Sequence, residues 1–280
     1  MNNINNQIIE DGYNTSYITS LLISLFYKSS LNDDILNMNP INNKFIYVLE
    51  FIKIRIIEPF RRGFSIHSET INEFRNYIMN CNWKNNIDEI LGKHNVLDFY
   101  KFFINRVYEN HTINFLRLHS SIKDEIIGND TMSVIELCIP PNITTISLSD
   151  MFKLWLNNNI TLDKYDYKLN DIPNLIPFYI NRNNNNNNKT KINIMHKIKL
   201  FNVNDDIQNT IVWTIYSLIC YNKNIGYYSV IKNGSKWDYI SDKNVPSFNK
   251  LDMSDEKTIL QISTDVLFIF YIINNDCKLN

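Results

Sequence analysis

Residues 11–26 read DGYNTSYITSLLISLF, a polar turn running into an apolar helical pattern with Ser16 at the junction. A hydroxyl in that setting can start a helix, attack a carbonyl, or mark a position that a stronger nucleophile has vacated. Attack needs help, because a serine hydroxyl is a poor nucleophile at neutral pH without an adjacent general base. The candidate bases are five histidines, His67, His94, His111, His119 and His196. Thiols are the other route to covalent chemistry. Cys81, Cys138, Cys220 and Cys277 stand alone, with no C-x-x-C pair. A tetrahedral zinc site needs closely spaced ligand pairs, so no metal is expected. None of the four precedes a clear helix start with a basic neighbour, the setting that makes a thiolate. They read as reduced packing residues of an intracellular chain.

Whatever chemistry Ser16 does or has lost, helices must hold it. Over residues 16–28, Tyr17, Ile18, Leu21, Leu22, Leu25 and Phe26 recur at i, i+4 and i+8, a buried stripe. Asn14 or Thr15 can cap its first turn. Residues 43–56, 69–79 and 96–107 carry similar patterns, and the cluster Phe99, Tyr100, Phe102 and Phe103 reads as core. After about residue 130 the pattern changes to short β-branched and aromatic runs at 132–139, 175–180, 192–200, 210–220, 227–232, 236–240 and 265–273. Helices first and sheet later predict an α+β fold. The expectation is one domain over residues 1–280, helical to about 130 and β-rich from about 131.

Composition narrows the function. The net charge is -1 and the 28 basic residues are scattered, which argues against nucleic-acid binding. Runs such as VLFIFYII are under half of the ~20 residues that a membrane span needs, and no basic-apolar leader opens the chain. A protein inside the cell or within a virus particle is expected. Six glycines include no G-x-G-x-x-G or Walker pattern, so no cofactor is expected. Alanine is absent while Asn and Ile are abundant, which points to an AT-rich genome, such as that of a large DNA virus or a protist. The asparagine run at 183–188 then reads as an exposed loop expanded by that bias, with a binding loop as the alternative.

One hairpin has a legible geometry. Residues 226–242 read GYYSVIKNGSKWDYISD, and Asn233-Gly234 is a strong turn signal. A two-residue loop there sets Tyr227 opposite Ile240, and a three-residue loop sets it opposite Ser241.

Five stretches together resemble the ubiquitin-specific proteases, the papain-like deubiquitinases. Residues Asp11 to Ser20 are similar to the family's N-x-G-N-T-C-Y-x-N-S box, and His94-Asn95-Val96-Leu97-Asp98-Phe99 to its Q-D-A-x-E-F box. Ile172 to Arg182 resembles L-P-x-x-L-I-I-x-L-x-R, and Gly226-Tyr227-Tyr228 with Trp237 and Ser241-Asp242 resembles G-H-Y…W…D. Leu267 to Tyr271 resembles the closing Y-x-L-F-Y strand. The resemblance implies a papain-like α+β fold with a helical thumb packed on an antiparallel β palm, and short metal-free fingers that lack the C-x-x-C pairs many members carry.

The departures fall where the reaction occurs. The resemblance assigns Ser16 to the nucleophile position, Tyr227 to the base, Ser241 to the acid that orients the base, and Asp11 to the amide that donates to the oxyanion. A phenol with a pKa of about 10 is protonated at neutral pH and takes no proton from serine. Ser241 cannot stabilise an imidazolium, and Asp242 keeps a carboxylate with no base to orient. Asp11 accepts hydrogen bonds where the chemistry needs a donor, and losing one such donor costs on the order of 100-fold before repulsion is counted. A pseudoenzyme is expected. His94 is the nearest alternative base, although a histidine at a helix start more simply makes a local hydrogen bond.

For the partner, the resemblance implies ubiquitin or a ubiquitin-like protein. It assigns Asn95 and Asp98 to positions whose acidic residues meet the basic ubiquitin tail, and Tyr228 to the aromatic beside the tail channel. The bland reading leaves Asp98 in water and Tyr228 in the palm core. Two other functions remain open: an assembly scaffold that meets other proteins without binding ubiquitin, and a hydrolase that uses Ser16 after all.

Overall fold

The computed structural model describes residues 9–39, 45–84, 86–108, 112–119, 126–159, 165–182, 189–199, 211–241, 249–251 and 253–273. Asp242, Cys277 and the asparagine run at 183–188 lie outside the described residues. The helices α1 (Ser16–Phe26), α2 (Leu31–Asn37), α3 (Ile46–Ile52), α4 (Glu58–Arg62), α5 (Ser68–Asn80), α6 (Ile87–Ile90) and α7 (Val96–Arg106) come first. Strands β1 (Ile113–His119), β2 (Ile126–Met132), β3 (Ile135–Cys138) and β4 (Thr145–Ser147) follow, then α8 (Leu148–Asn159). The remainder is β5 (Tyr165–Leu169), β6 (Leu175–Asn181), β7 (Lys191–Asn193), β8 (Lys197–Lys199), β9 (Val212–Asn222), β10 (Gly226–Asn233), β11 (Lys236–Ile240), β12 (Asn249–Leu251), α9 (Glu256–Asp265) and β13 (Val266–Ile273). No helix among the described residues is long and apolar enough to cross a membrane.

Two compact units share the chain. The first comprises residues 1–109 and 219–253, the second 110–218 and 254–280, so β9 contributes its last residues to the first unit and the rest to the second.

In the first unit α1 is central, with every residue from Tyr17 to Phe26 buried. A helix buried on all sides must meet its neighbours with small residues somewhere, and serines do this here. Ser229 of β10 donates to the Ser20 carbonyl at 3.0 Å, and Ser24 donates to the Ser229 hydroxyl at 3.1 Å. All three serines are buried, and their short side chains let strand and helix approach closely while satisfying each hydroxyl. This contact fixes the height of β10 along α1. Around them pack Phe99, Tyr100 and Phe103 of α7, as the aromatic spacing predicts, and Phe74 of α5. The pattern over residues 43–56 is not one helix: α3 passes into a π-helical turn at Lys53–Ile57 before α4.

The ribbon β10–β11 differs from both predicted loops. Asn233 pairs with Lys236 and Ser229 with Ile240, so the two-residue loop is Gly234-Ser235. Gly234 takes φ +62°, which suits the first position of such a loop, whereas Asn233 remains in the ladder. The Asn-Gly signal located the turn and misplaced it by one residue.

In the second unit, β2-β1-β5 form an antiparallel sheet, while β13 pairs antiparallel with β6 and β3 joins β6 in parallel, so the pairing is mixed where an antiparallel palm was expected. Strands begin at Ile113, ahead of the change of pattern near residue 130. The run at 192–200 is interrupted into β7 and β8, which pair with β4 and β9 respectively. Arg182 follows β6 and is buried, its guanidinium donating to the carbonyls of Thr190, Ser263 and Val266.

Candidate functional site

The turn before α1 is held from outside the helix. Neither predicted cap operates: Thr15 is the first flanking residue, but its hydroxyl accepts the Gly12 amide at 2.7 Å. Asn14 takes a left-handed φ of 54° and donates from its side chain to the Leu91 carbonyl at 3.0 Å. From α5, the buried Arg75 donates to the Tyr13 carbonyl and to Asn72. Asn72 sits so close that a Cβ on Gly12 would lie 2.3 Å from its Oδ1, which excludes any larger residue there without movement. Asp11 is turned toward the helix, where its carboxylate accepts the Thr19 hydroxyl.

This turn meets the ribbon. The Ser16 hydroxyl stands 3.9 Å from the place a Cβ on Gly226 would occupy, and Gly226 has φ +90°, a conformation open to glycine. The phenol of the next residue, Tyr227, accepts the backbone amide of Val96 at 3.3 Å, and its ring lies 4.9 Å from that of Tyr221. A cavity of about 460 Å³ results, lined among others by Asp11, Ser16, His94, Asn95, Gly226 and Tyr227. Asp11 and Tyr227 also line an adjoining recess of about 10 Å³ with Tyr228 and Ser241.

The expected site residues therefore divide. Ser16, Asp11, Tyr227 and Asn95 share the cavity, and Ser241 lies in the recess beside it. Asn95 spends its side-chain oxygen on the Leu97 amide at 2.8 Å, an N-cap of α7. Asp98 is exposed on α7. Tyr228 is 1% exposed, its ring tilted against Tyr239 at 5.1 Å, so it stands in the core as the bland reading had it. Among the described residues, Cys81 and Cys220 are buried and Cys138 is exposed, none of them in a disulfide. Among the described residues no cluster of three or more His, Cys, Asp or Glu could hold a metal ion.

His94 is the histidine in this cavity. Its ring meets the edges of Tyr17 and Trp83 at 5.2 and 5.6 Å, and its Nε2 is buried without a partner. Burial depresses its pKa below the ordinary 6.5, with nearby Lys84 acting in the same direction. The folded protein thus prefers neutral His94, and the unfolded chain binds more protons just below pH 6.5. Stability is expected to fall as pH drops through that window. In urea unfolding, His94→Phe should flatten this limb; an unchanged slope assigns it to other groups. Burial also pushes Tyr17 up to about 12, so the phenol beside His94 stays protonated.

Sequence reasoning passed over Arg75, Asn72 and Thr19, which hold the turn, and gave Thr15 a capping role in place of its bond to Gly12. Arg75 carried a signal: Ile71, Phe74 and Ile78 place it on the apolar stripe of α5, where a cation needs a built set of acceptors.

No protein-family model and no curated protein matches the chain. Solved structures do. A chain of the SAGA Ubp8/Sgf11/Sus1/Sgf73 DUB module bound to ubiquitin aldehyde aligns over 96% of this chain and 69% of its own, at 12% identity and TM-score 0.59. A module with a serine-to-asparagine Ubp8 aligns over 97% and 68%, at 11% identity and TM-score 0.64. One with a cysteine-to-alanine Ubp8 bound to monoubiquitin gives 96%, 69%, 12% and 0.57. At such identity the likeness shows the fold: a mixed α/β fold of the ubiquitin-specific protease type.

Proposed function

We propose that this chain is a catalytically inactive protein of the ubiquitin-specific protease type, with its helices as thumb and its sheet as palm, which binds the tail of ubiquitin or a ubiquitin-like protein in the Ser16–Tyr227 cavity. The observation that carries this reading is the phenol of Tyr227. It lines the same cavity as Ser16, at the position the resemblance gives to the general base, and its oxygen accepts the Val96 amide. A phenol accepting an amide proton does not take one from serine. Asp11, engaged with Thr19, presents a carboxylate where an oxyanion needs donors. Binding needs none of this chemistry, only an open groove, and the cavity provides one.

Titration of the full chain with ubiquitin, followed by calorimetry or NMR, is expected to give saturable binding with a millimolar or tighter constant. A fluorogenic ubiquitin-tail substrate is expected to turn over no faster with this protein than with its Ser16→Ala variant. No binding at high ubiquitin concentration removes the reading in favour of an assembly scaffold. One observation favours a second reading: His94, neutral at pH 7, lines the same cavity as Ser16. Turnover lost in both Ser16→Ala and His94→Gln would establish that hydrolase instead.

A further inference from the structure

Beyond the six residues already named, the cavity is lined by two cations, Lys93 before α7 and Lys223 in the turn between β9 and β10. Both are exposed, and among the described residues neither has an ion-pair partner. Asp11 is the carboxylate in the described lining, and it accepts the Thr19 hydroxyl. Two 11-residue helices, α1 and α7, begin at the cavity and add the partial positive charge of their first turns. The field inside thus favours an anion and disfavours a cationic side chain. The shape adds a second constraint. Tyr227 reaches from the ribbon to the first amide of α7, with Tyr221 against its ring, and so bars the space between those two elements.

We infer that the cavity is a terminal-carboxylate pocket. It holds the last residues of a partner polypeptide ending in a free C-terminal carboxylate, with Lys93 and Lys223 selecting the charge and Tyr227 as the stop. This deepens the reading above and rests on it. A peptide or isopeptide carbonyl is neutral and continues into further chain, which meets Tyr227. A free carboxylate is charged and ends there. The pocket therefore separates released tails from conjugated ones, a discrimination that requires no catalysis.

The test compares ubiquitin carrying its native C-terminal carboxylate with ubiquitin amidated at that end, titrated into the full chain. The native form should bind about tenfold more tightly, the worth of one charge-assisted hydrogen bond. Lys93→Met with Lys223→Met should erase the difference without shifting the thermal midpoint, since both side chains are exposed. Equal affinities for the two forms, or a preference untouched by the lysine changes, overturn the inference. If neither form binds, ubiquitin is the wrong partner, and the pocket is judged with acetyl-glycylglycine and its amide. Carboxylate-dependent NMR shifts at Ser16 and Gly226 then sustain it, while equal responses or none overturn it.

Discussion

Arg182→Met is expected to lower the thermal midpoint by roughly 5 °C, the consequence of losing about 3 kcal/mol in a chain of this size. Arg182 is buried and spreads its donors over three carbonyls, from Nε to Val266 at 3.0 Å, Nη1 to Thr190 at 2.9 Å and Nη2 to Ser263 at 3.1 Å. These acceptors come from the segment before β7, from α9 and from the start of β13, so one planar group gathers three pieces of the second unit. Methionine keeps much of the stem volume and removes all five donors, leaving three carbonyl acceptors without this partner at about 1–3 kcal/mol for each group left unsatisfied. Arg182→Lys separates charge from geometry. An ammonium on a flexible stem cannot reach three divergent acceptors at once, so lysine should be nearly as destabilising as methionine. A midpoint within about 1 °C of wild type for methionine, less than 1 kcal/mol of effect, removes this clamp from the account of the fold.

The clamp also shows what sequence can and cannot disclose. Arg182 lay in a recognisable apolar stretch, and β6 was legible because its burial makes it a continuous apolar run. Its acceptors are backbone carbonyls, which have no residue signature. The long helices α1, α5 and α7 were legible for the same reason in helical form, as stripes of Leu, Ile and Phe. Elements with mixed faces were not. The strand INFLRLH of β1 interleaves polar and apolar residues, whereas α8 carries Leu148, Met151, Phe152 and Trp155 at i, i+3, i+4 and i+7, a short helical stripe that the reading of a β-rich second half passed over.

The candidate site follows the same division. Ser16, Asp11 and Tyr227 were found through their order along the chain, and they line one cavity. Arg75, Thr19 and the closing contact of Tyr227 with Val96 are set by approach across 8 to 131 positions of sequence, which no local pattern encodes. Tyr228 illustrates the reverse case. Its position in a motif suggested a surface role, while its alternation with Tyr227 along β10 sends it inward against Tyr239.

On the proposed reading of an inactive site, installing the four residues of the resembled family is expected to have the largest effect of all. The variant carrying Ser16→Cys, Tyr227→His, Ser241→Asp and Asp11→Asn should react with a thiol-directed ubiquitin probe on the order of 1,000-fold faster than Ser16→Cys alone. The asymmetry follows from how the groups depend on one another. A thiol with a pKa near 8.5 is mostly protonated at neutral pH, so a cysteine at position 16 gains little until a base stands beside it. Position 227 can supply that base, because Gly226 already brings the ribbon to Ser16, and an imidazole, shorter than the phenol, releases the Val96 amide. Asp11→Asn gives back a donor and removes a charge that opposes the oxyanion. Each single change should stay at background, since groups that act as a unit lose nearly everything when one is missing. Equal labelling by Ser16→Cys alone assigns the base to His94 and refutes the claim that proton transfer was lost at Tyr227. No labelling by the fourfold variant, with ubiquitin binding intact, shows that the groove was never arranged for this reaction.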